Sequence, residues 1–176
     1  MPWKQLSSKE MYRNHWMWIT EDQVETETGK LLTYGVVHKH PFALIIPWDG
    51  ERLTVVGQYR YTVDCFSWEF PSGHFEHTDI QETAQEELRE EAGLLAKEIK
   101  EVGSFWVATG CFDQECKVFL ATGLTSTEHH LEAGEEGMQC KAVTLQEFWQ
   151  MVADGSLHDG PSLAAMALAQ NMLKIF

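Results

Sequence analysis

Residues 71–94 read "PSGHFEHTDIQETAQEELREEAGL", and the segment "EELREEAG" (86–93) sets four glutamates and one arginine into eight positions. Apolar residues at 80, 84, 88 and 92, with Gly93 placed to cap the end, predict a helix from about Ile80 to Ala92. Successive residues turn by about 100°, so with Glu86 at zero the apolar stripe spans about 120° to 240°. Glu91 falls within that stripe at about 140°, Glu87 on its edge at about 100°, and Glu90 beside them at about 40°. Glu82 and Glu86 lie further round, and Arg89 sits at about 300°.

The acids therefore divide into two groups. Glu82 and Glu86 read as a solvated face, with Arg89 a weak partner for Glu86 worth about 0.2–0.5 kcal/mol. Glu87 and Glu91, one turn apart at the border of the core, must protonate, find cations or cost stability. A hard divalent cation satisfies both, since Mg2+ takes one or two carboxylates together with phosphate oxygens and water. The alternative is a pair of purely structural acids.

The rest of the composition bounds the choice of substrate. A chain of 176 residues, 44% hydrophobic and 23% charged, fits one globular domain with a sizeable core. Its net charge of −14, from 27 acids against 13 Lys and Arg, disfavours nucleic acid and anionic membranes, and there is no basic stripe. Small phosphate esters remain open, because bound divalent cations reverse the local sign. The start "MPWKQLSSKEMYRNHW" lacks the pattern of a signal peptide, and no apolar run reaches the roughly 18 residues of a membrane span. Cys65, Cys111, Cys116 and Cys140 form no C-x2-C pair, so neither zinc nor disulfides are expected. These features predict a soluble protein of a reducing compartment, the cytoplasm.

Along the chain, "YRNHWMWIT" (12–20) has strand-like content, with Trp16 and Trp18 two apart on one face. "ETGKLLTYGVVHK" adds a glycine turn and another strand, making 12–39 a hairpin or meander. Two apolar runs flank the turn "WDGE", and "CFSWEFPSG" is a short strand ended by Pro71 and Gly73. "EVGSFWVA" and "CKVFLATGL" are further strands, and "TSTEHHLEAGEEG" (125–137) reads as a long loop. Helices are expected at "TLQEFWQMVADG", with Thr144 as N-cap, and at "GPSLAAMALAQNMLKIF". The pattern predicts an α+β fold, a mixed sheet packed by helices.

The segment 71–94 resembles the signature of Nudix hydrolases, G-x5-E-x7-R-E-U-x-E-E-x-G-U with U aliphatic. Glu87, Leu88, Glu90, Glu91, Gly93 and Leu94 match its second half. Counting back from Gly93 puts the leading glycine at Ser72, whereas the glycine is Gly73, so the loop before the helix is one residue short. The first glutamate of the signature has no clear equivalent among His77, Thr78 and Asp79, and the arginine of the signature is Glu86 here. "VVGQYRYTVDCFSWEFPSG", "SFWVATGCFDQECKVFLATGL" and "DGSLHDGPSLAAMALA" resemble segments of the ADP-ribose pyrophosphatase branch. "YRNHWMWITEDQVETETGKLLTYGVV" resembles that branch's extra antiparallel strands, which commonly exchange between two subunits.

The resemblance implies an α/β/α sandwich, with strands in residues 1–40 preceding a catalytic domain in 41–176, and a homodimer. It implies hydrolysis of a nucleoside diphosphate linked to another moiety, such as ADP-ribose or another nucleotide sugar, with Mg2+ or Mn2+. Glu87, Glu91 and Glu90, with the carbonyl of Ser72, are then the metal ligands, and a loop acid, Glu135 or Glu136, accepts the proton of the attacking water. Arg60 is expected either to meet a substrate phosphate or to pair with Glu69, which could itself support metal, substrate or Arg60. His129 and His130, adjacent in the loop, read as loop residues rather than a ligand pair. The competing expectation is a Nudix-fold module that binds a nucleotide without turning it over, because Glu86 stands where the arginine is expected. A third is a structural acidic domain that uses the helix as a protein-binding face.

Overall fold

A computed structural model describes residues 3–75, 79–128 and 137–173. The strands are β1 (Lys4–Arg13), β2 (Trp18–Glu25), β3 (Leu31–His38), β4 (Phe42–Pro47), β5 (Arg52–Arg60), β6 (Cys65–Glu69) and β7 (Ser72–His74). After α1 (Ile80–Ala92) come β8 (Leu94–Leu95), β9 (Glu98–Trp106), β10 (Glu115–Thr122), β11 (Thr125–Ser126) and β12 (Gln139–Thr144). Two helices close the chain, α2 (Leu145–Ala153) and α3 (Gly160–Ala169). The molecule divides into two units, one within Met1–Pro41 and Trp106–Glu115, the other within Phe42–Phe105 and Cys116–Phe176.

The first unit is an antiparallel meander in the order β1-β2-β3. Thr26 to Lys30 form the turn between β2 and β3, where Gly29 takes a φ of 78° that a side chain would resist. The expected strand through 12–20 is interrupted. Asn14 Oδ1 accepts hydrogen bonds from the backbone N–H of Trp16 and Met17, both at 2.8 Å, which turns the chain. Trp16 is therefore exposed in the turn while Trp18 stacks on His38, so the two do not share an aromatic face. Residues 108–114 lie on β3: Val37 N–H donates to the Cys111 carbonyl at 2.8 Å, and Tyr34 Oη–H to that of Gly110 at 2.7 Å.

The second unit has the orders β7-β4-β10-β9, β12-β5-β6 and β11-β8. β4 pairs parallel with β10 and all six of its residues are buried, so it reads as an unbroken apolar run, not an alternating one. Its alternate residues serve two cores. Phe42, Leu44 and Ile46, with Val118 and Leu120 of β10, meet Phe148 and Met151 of α2 and Ala165, Met166 and Ala169 of α3. Ala43 and Ile45, with Phe119 and Ala121, meet Ala84, Leu88 and Ala92 of α1. The sheet is thus covered by α1 on one face and by α2 and α3 on the other, the α+β sandwich expected.

Each helix starts where its sequence provides a cap. Asp79 accepts from Gln81 N–H at 2.7 Å before α1, and Gly93 ends it in the left-handed region at φ 62°. Thr144 and Glu147 form a reciprocal capping box on α2, and Asp159 caps α3 through Ser162 N–H at 2.8 Å. The expected loop 125–137 departs from expectation at its start, where Thr125–Ser126 pair with Leu94–Leu95. Among the described residues no helix is long and apolar enough to cross a membrane, and Cys65, Cys111, Cys116 and Cys140 form no disulfide.

Candidate active site

β7 and α1 bring Ser72 and Gly73 against Glu91 and Glu87. β7 is fixed as a strand beside β4, with Ser72 opposite Leu44, Gly73 opposite Ala43, and Ile45 N–H donating to the Pro71 carbonyl at 2.9 Å. Ser72 N–H donates to Glu91 Oε2 at 2.8 Å. The carboxylate of Glu87 lies directly over Gly73: a Cβ built at that position would stand 1.7 Å from Glu87 Oε1 and 1.9 Å from its Cδ. Gly73 is not among the residues with positive φ, so glycine is needed here for space and not for backbone freedom. The glycine displaced by one position from the signature thus still lies under Glu87, the first of the helix's acids that match the signature.

Burial along α1 follows the helical wheel. Glu91 is 5% exposed, Glu87 and Glu90 are half-buried, and Glu82 and Glu86 are exposed. Arg89 departs from expectation. Its guanidinium turns away from Glu86, and Nη2 donates to Glu90 Oε1 at 3.0 Å. A long side chain can bend back along its own turn, which residue spacing alone does not exclude.

Arg60 and Glu69 form the second cluster, as one of the two expectations had it. Arg60 Nη2 donates to Glu69 Oε1 at 2.5 Å and Nε to Oε2 at 3.1 Å, a two-pronged fork. Gln58 Nε2 adds a third hydrogen bond to Oε1 at 2.8 Å. Glu69 is 4% exposed, and burial holds its carboxyl above the usual range against the opposing pull of the Arg60 guanidinium. The Arg60 side chain is 43% exposed, so its outer face remains open to a ligand. Sequence reasoning missed Gln58, although its place two residues before Arg60 puts both on one face of β5. Glu135, Glu136, His129, His130, His77 and Thr78 lie outside the described residues.

The oxygen donors of Glu87, Glu90 and Glu91 fit a hard cation. Among the described residues no three His, Cys, Asp or Glu side chains converge into a cage of their own. Mg2+ does not need one, because it keeps several waters and binds one or two carboxylates together with substrate phosphates. The three atoms nearest to a Cβ built at Gly73 all belong to the Glu87 carboxylate, which therefore packs directly on the backbone.

These features define an α+β sandwich whose carboxylate-bearing helix follows a glycine loop. The same fold is found in a solved structure titled "Crystal structure of ADP compounds hydrolase", with a TM-score of 0.87 at 17% identity, covering 99% of this chain and 95% of that one. The NUDIX domain model matches residues 38–166, and the nucleoside diphosphate sugar hydrolase N-terminal domain model matches residues 3–37. The chain belongs to the Nudix hydrolase family. An ADP-ribose pyrophosphatase of Bacillus subtilis (strain 168) is 30% identical over 153 residues, 85% of this chain and 82% of that protein. One from Mycobacterium tuberculosis (strain ATCC 25618 / H37Rv) is 33% identical over 135 residues, 73% of this chain and 65% of that protein. The methanol dehydrogenase activator of Bacillus methanolicus is 25% identical over 171 residues, 95% of this chain and 92% of that protein.

Proposed function

We propose that this protein hydrolyses the pyrophosphate bond of ADP-ribose or another nucleotide sugar, giving a nucleoside monophosphate and a sugar phosphate. The observation that carries this reading is the placing of Glu87 and Glu91 against the backbone of Gly73 and Ser72. Similarity to two ADP-ribose pyrophosphatases supports the substrate class. In this reading Glu87, Glu91 and Glu90, with the Ser72 carbonyl, hold Mg2+, or Mn2+ in its place. Bound there, the metal would neutralise charge on the phosphoryl oxygens and lower the pKa of the attacking water.

The chain's own residues do the rest. Ser72 N–H fixes one oxygen of Glu91, so that carboxylate is oriented before any ligand arrives. Arg60, already oriented by Glu69, offers the outer side of its guanidinium to a substrate phosphate. Glu135 or Glu136 accepts the proton of the attacking water. Residues 1–40 serve to pair two copies and residues 41–176 to carry the chemistry. Exposed Trp3, Leu6, Met11, Tyr12, Trp16 and Leu31 of the first unit support the homodimer, since they are apolar area that a second copy would cover. The net charge of −14 favours a small nucleotide over nucleic acid or a membrane surface.

Incubation with ADP-ribose and Mg2+ tests the reading. AMP release is expected, and Gly73→Ala, which drives a methyl into the Glu87 carboxylate, should abolish it without unfolding the chain. Silence across a panel of nucleotide sugars at neutral to alkaline pH would refute hydrolysis. A second reading, a nucleotide-binding sensor, is favoured by Glu86, an exposed acid where the family signature has arginine. Nucleotide binding without turnover, unchanged by Glu91→Gln, would support it.

A further inference from the structure

Arg89 is the one basic residue of α1, among Glu82, Glu86, Glu87, Glu90 and Glu91. Its guanidinium is not a free surface arm. Nη2 donates to Glu90 Oε1 at 3.0 Å, while Nε is buried with no acceptor among the described residues. One turn earlier, Gln85 Nε2 is likewise buried and without an acceptor. Buried donors are seldom left unpaired in native proteins, and where they are, an ordered water or a functional constraint is the usual reason. The Arg89 side chain is 42% exposed as a whole, and its outer Nη2 engages one oxygen of Glu90. The second oxygen, Oε2, has no hydrogen bond among the described residues.

From this geometry we infer that Arg89 is a positioning residue: it holds Glu90 by Oε1 and presents Oε2 to a divalent cation bound beside Glu87 and Glu91. The inference rests on the metal-site reading of α1 given above. It assigns to the helix's only cation a function that the wheel did not suggest, because an i, i+1 pair is not on one face. A simple surface ion pair would leave activity unaffected when broken, since exposed pairs contribute little. A partner that orients a metal ligand behaves differently, and its loss typically costs 10–100-fold in metal affinity or activity.

A double-mutant cycle with kcat, KM and metal binding tests this. Arg89→Ala should lower kcat by about tenfold, leave KM for the nucleotide within about twofold, and raise the Mg2+ concentration that half-saturates thermal stabilisation. Arg89→Lys should recover part of the loss. In a Glu90→Gln background the Arg89→Ala change should have no further effect, because it acts through Glu90. If Arg89→Ala does not fold, Arg89→Met keeps the apolar stem and carries the same comparison. Wild-type kcat and metal binding in the Arg89 variants, or effects that simply add in the Glu90→Gln background, would overturn the inference alone. Absence of metal binding and of turnover in the wild type would overturn the metal-site reading and this inference with it.

Discussion

β4, an inner strand of its sheet, and β1, an edge strand of the meander, are built on opposite terms. All six residues of β4 are buried, whereas all ten of β1 are exposed. β4 packs both faces against helices, so its side chains supply two cores at once. In the meander that contains β1, the large apolar residues Trp3, Leu6, Met11 and Leu31 are exposed. A two-core strand is self-sufficient; a three-stranded sheet with exposed tryptophan and leucine gains most from a partner.

The largest way to sharpen that contrast is a pair of leucines. Leu44→Ala, at a site 1% exposed, should cost about 2–5 kcal/mol in urea denaturation. Leu31→Ala, at a site 67% exposed, should change the stability of the isolated chain by no more than about 0.5 kcal/mol. Equal losses would mean that the sheet is packed in the single chain after all. In the homodimer proposed above, Leu31→Glu should instead shift the sedimenting species to monomer while the second unit keeps its melting transition. Retention of the dimer would place the interface elsewhere.

Acid titration separates the units by sign. In the body, burial holds Glu69 above the ordinary carboxylate value of 4.5, so its contribution is present below that value and is lost as pH rises through the folded pKa. As pH rises above 4.5 the wild type should therefore lose stability relative to Glu69→Gln, the attraction of Arg60 offsetting only part of the cost of ionising a buried carboxyl. In the sheet, hydrogen bonding from the Ser8 hydroxyl is the chief cause that holds the buried Asp22 below its ordinary 3.8. Its contribution is present above 3.8 and is lost as pH falls through the lower folded pKa, so Asp22→Asn should blunt the acid sensitivity of amide exchange in residues 4–38. The same sign at both sites would break the comparison. The smallest effect belongs to the body's helix caps: Thr144→Ala removes half of the α2 capping box and should cost about 1 kcal/mol.

How much of this was legible in sequence differs between the same two regions. The limits of α1, its Gly93 cap and the division of its acids follow from a single period, because one face of the helix meets a dense core. β4 was legible as an apolar run for the same reason. β1 was not: "KQLSSKEMYR" carries no alternation to read, because burial imposes none on it in the single chain. The turn at Asn14 was hidden by the strand-forming tryptophans around it, and one side-chain oxygen overrode their preference. At the site, Gly73 was one position off the signature, and only the space required by Glu87 shows why a glycine stands there. The partner of Arg89 was not readable, since a flexible side chain chose its neighbour over the residue one turn back.

The most direct measurement of the central claim is the rate of AMP release from ADP-ribose with Mg2+, for wild type and Glu91→Gln side by side. Glu91 is the buried carboxylate oriented by Ser72 N–H, and its amide replacement removes charge while keeping shape. Wild type should release AMP only when the metal is present, and Glu91→Gln should fold yet lose about 100-fold or more in kcat. Metal-independent release, or an equal rate in the two proteins, would contradict a metal centre built on Glu87 and Glu91.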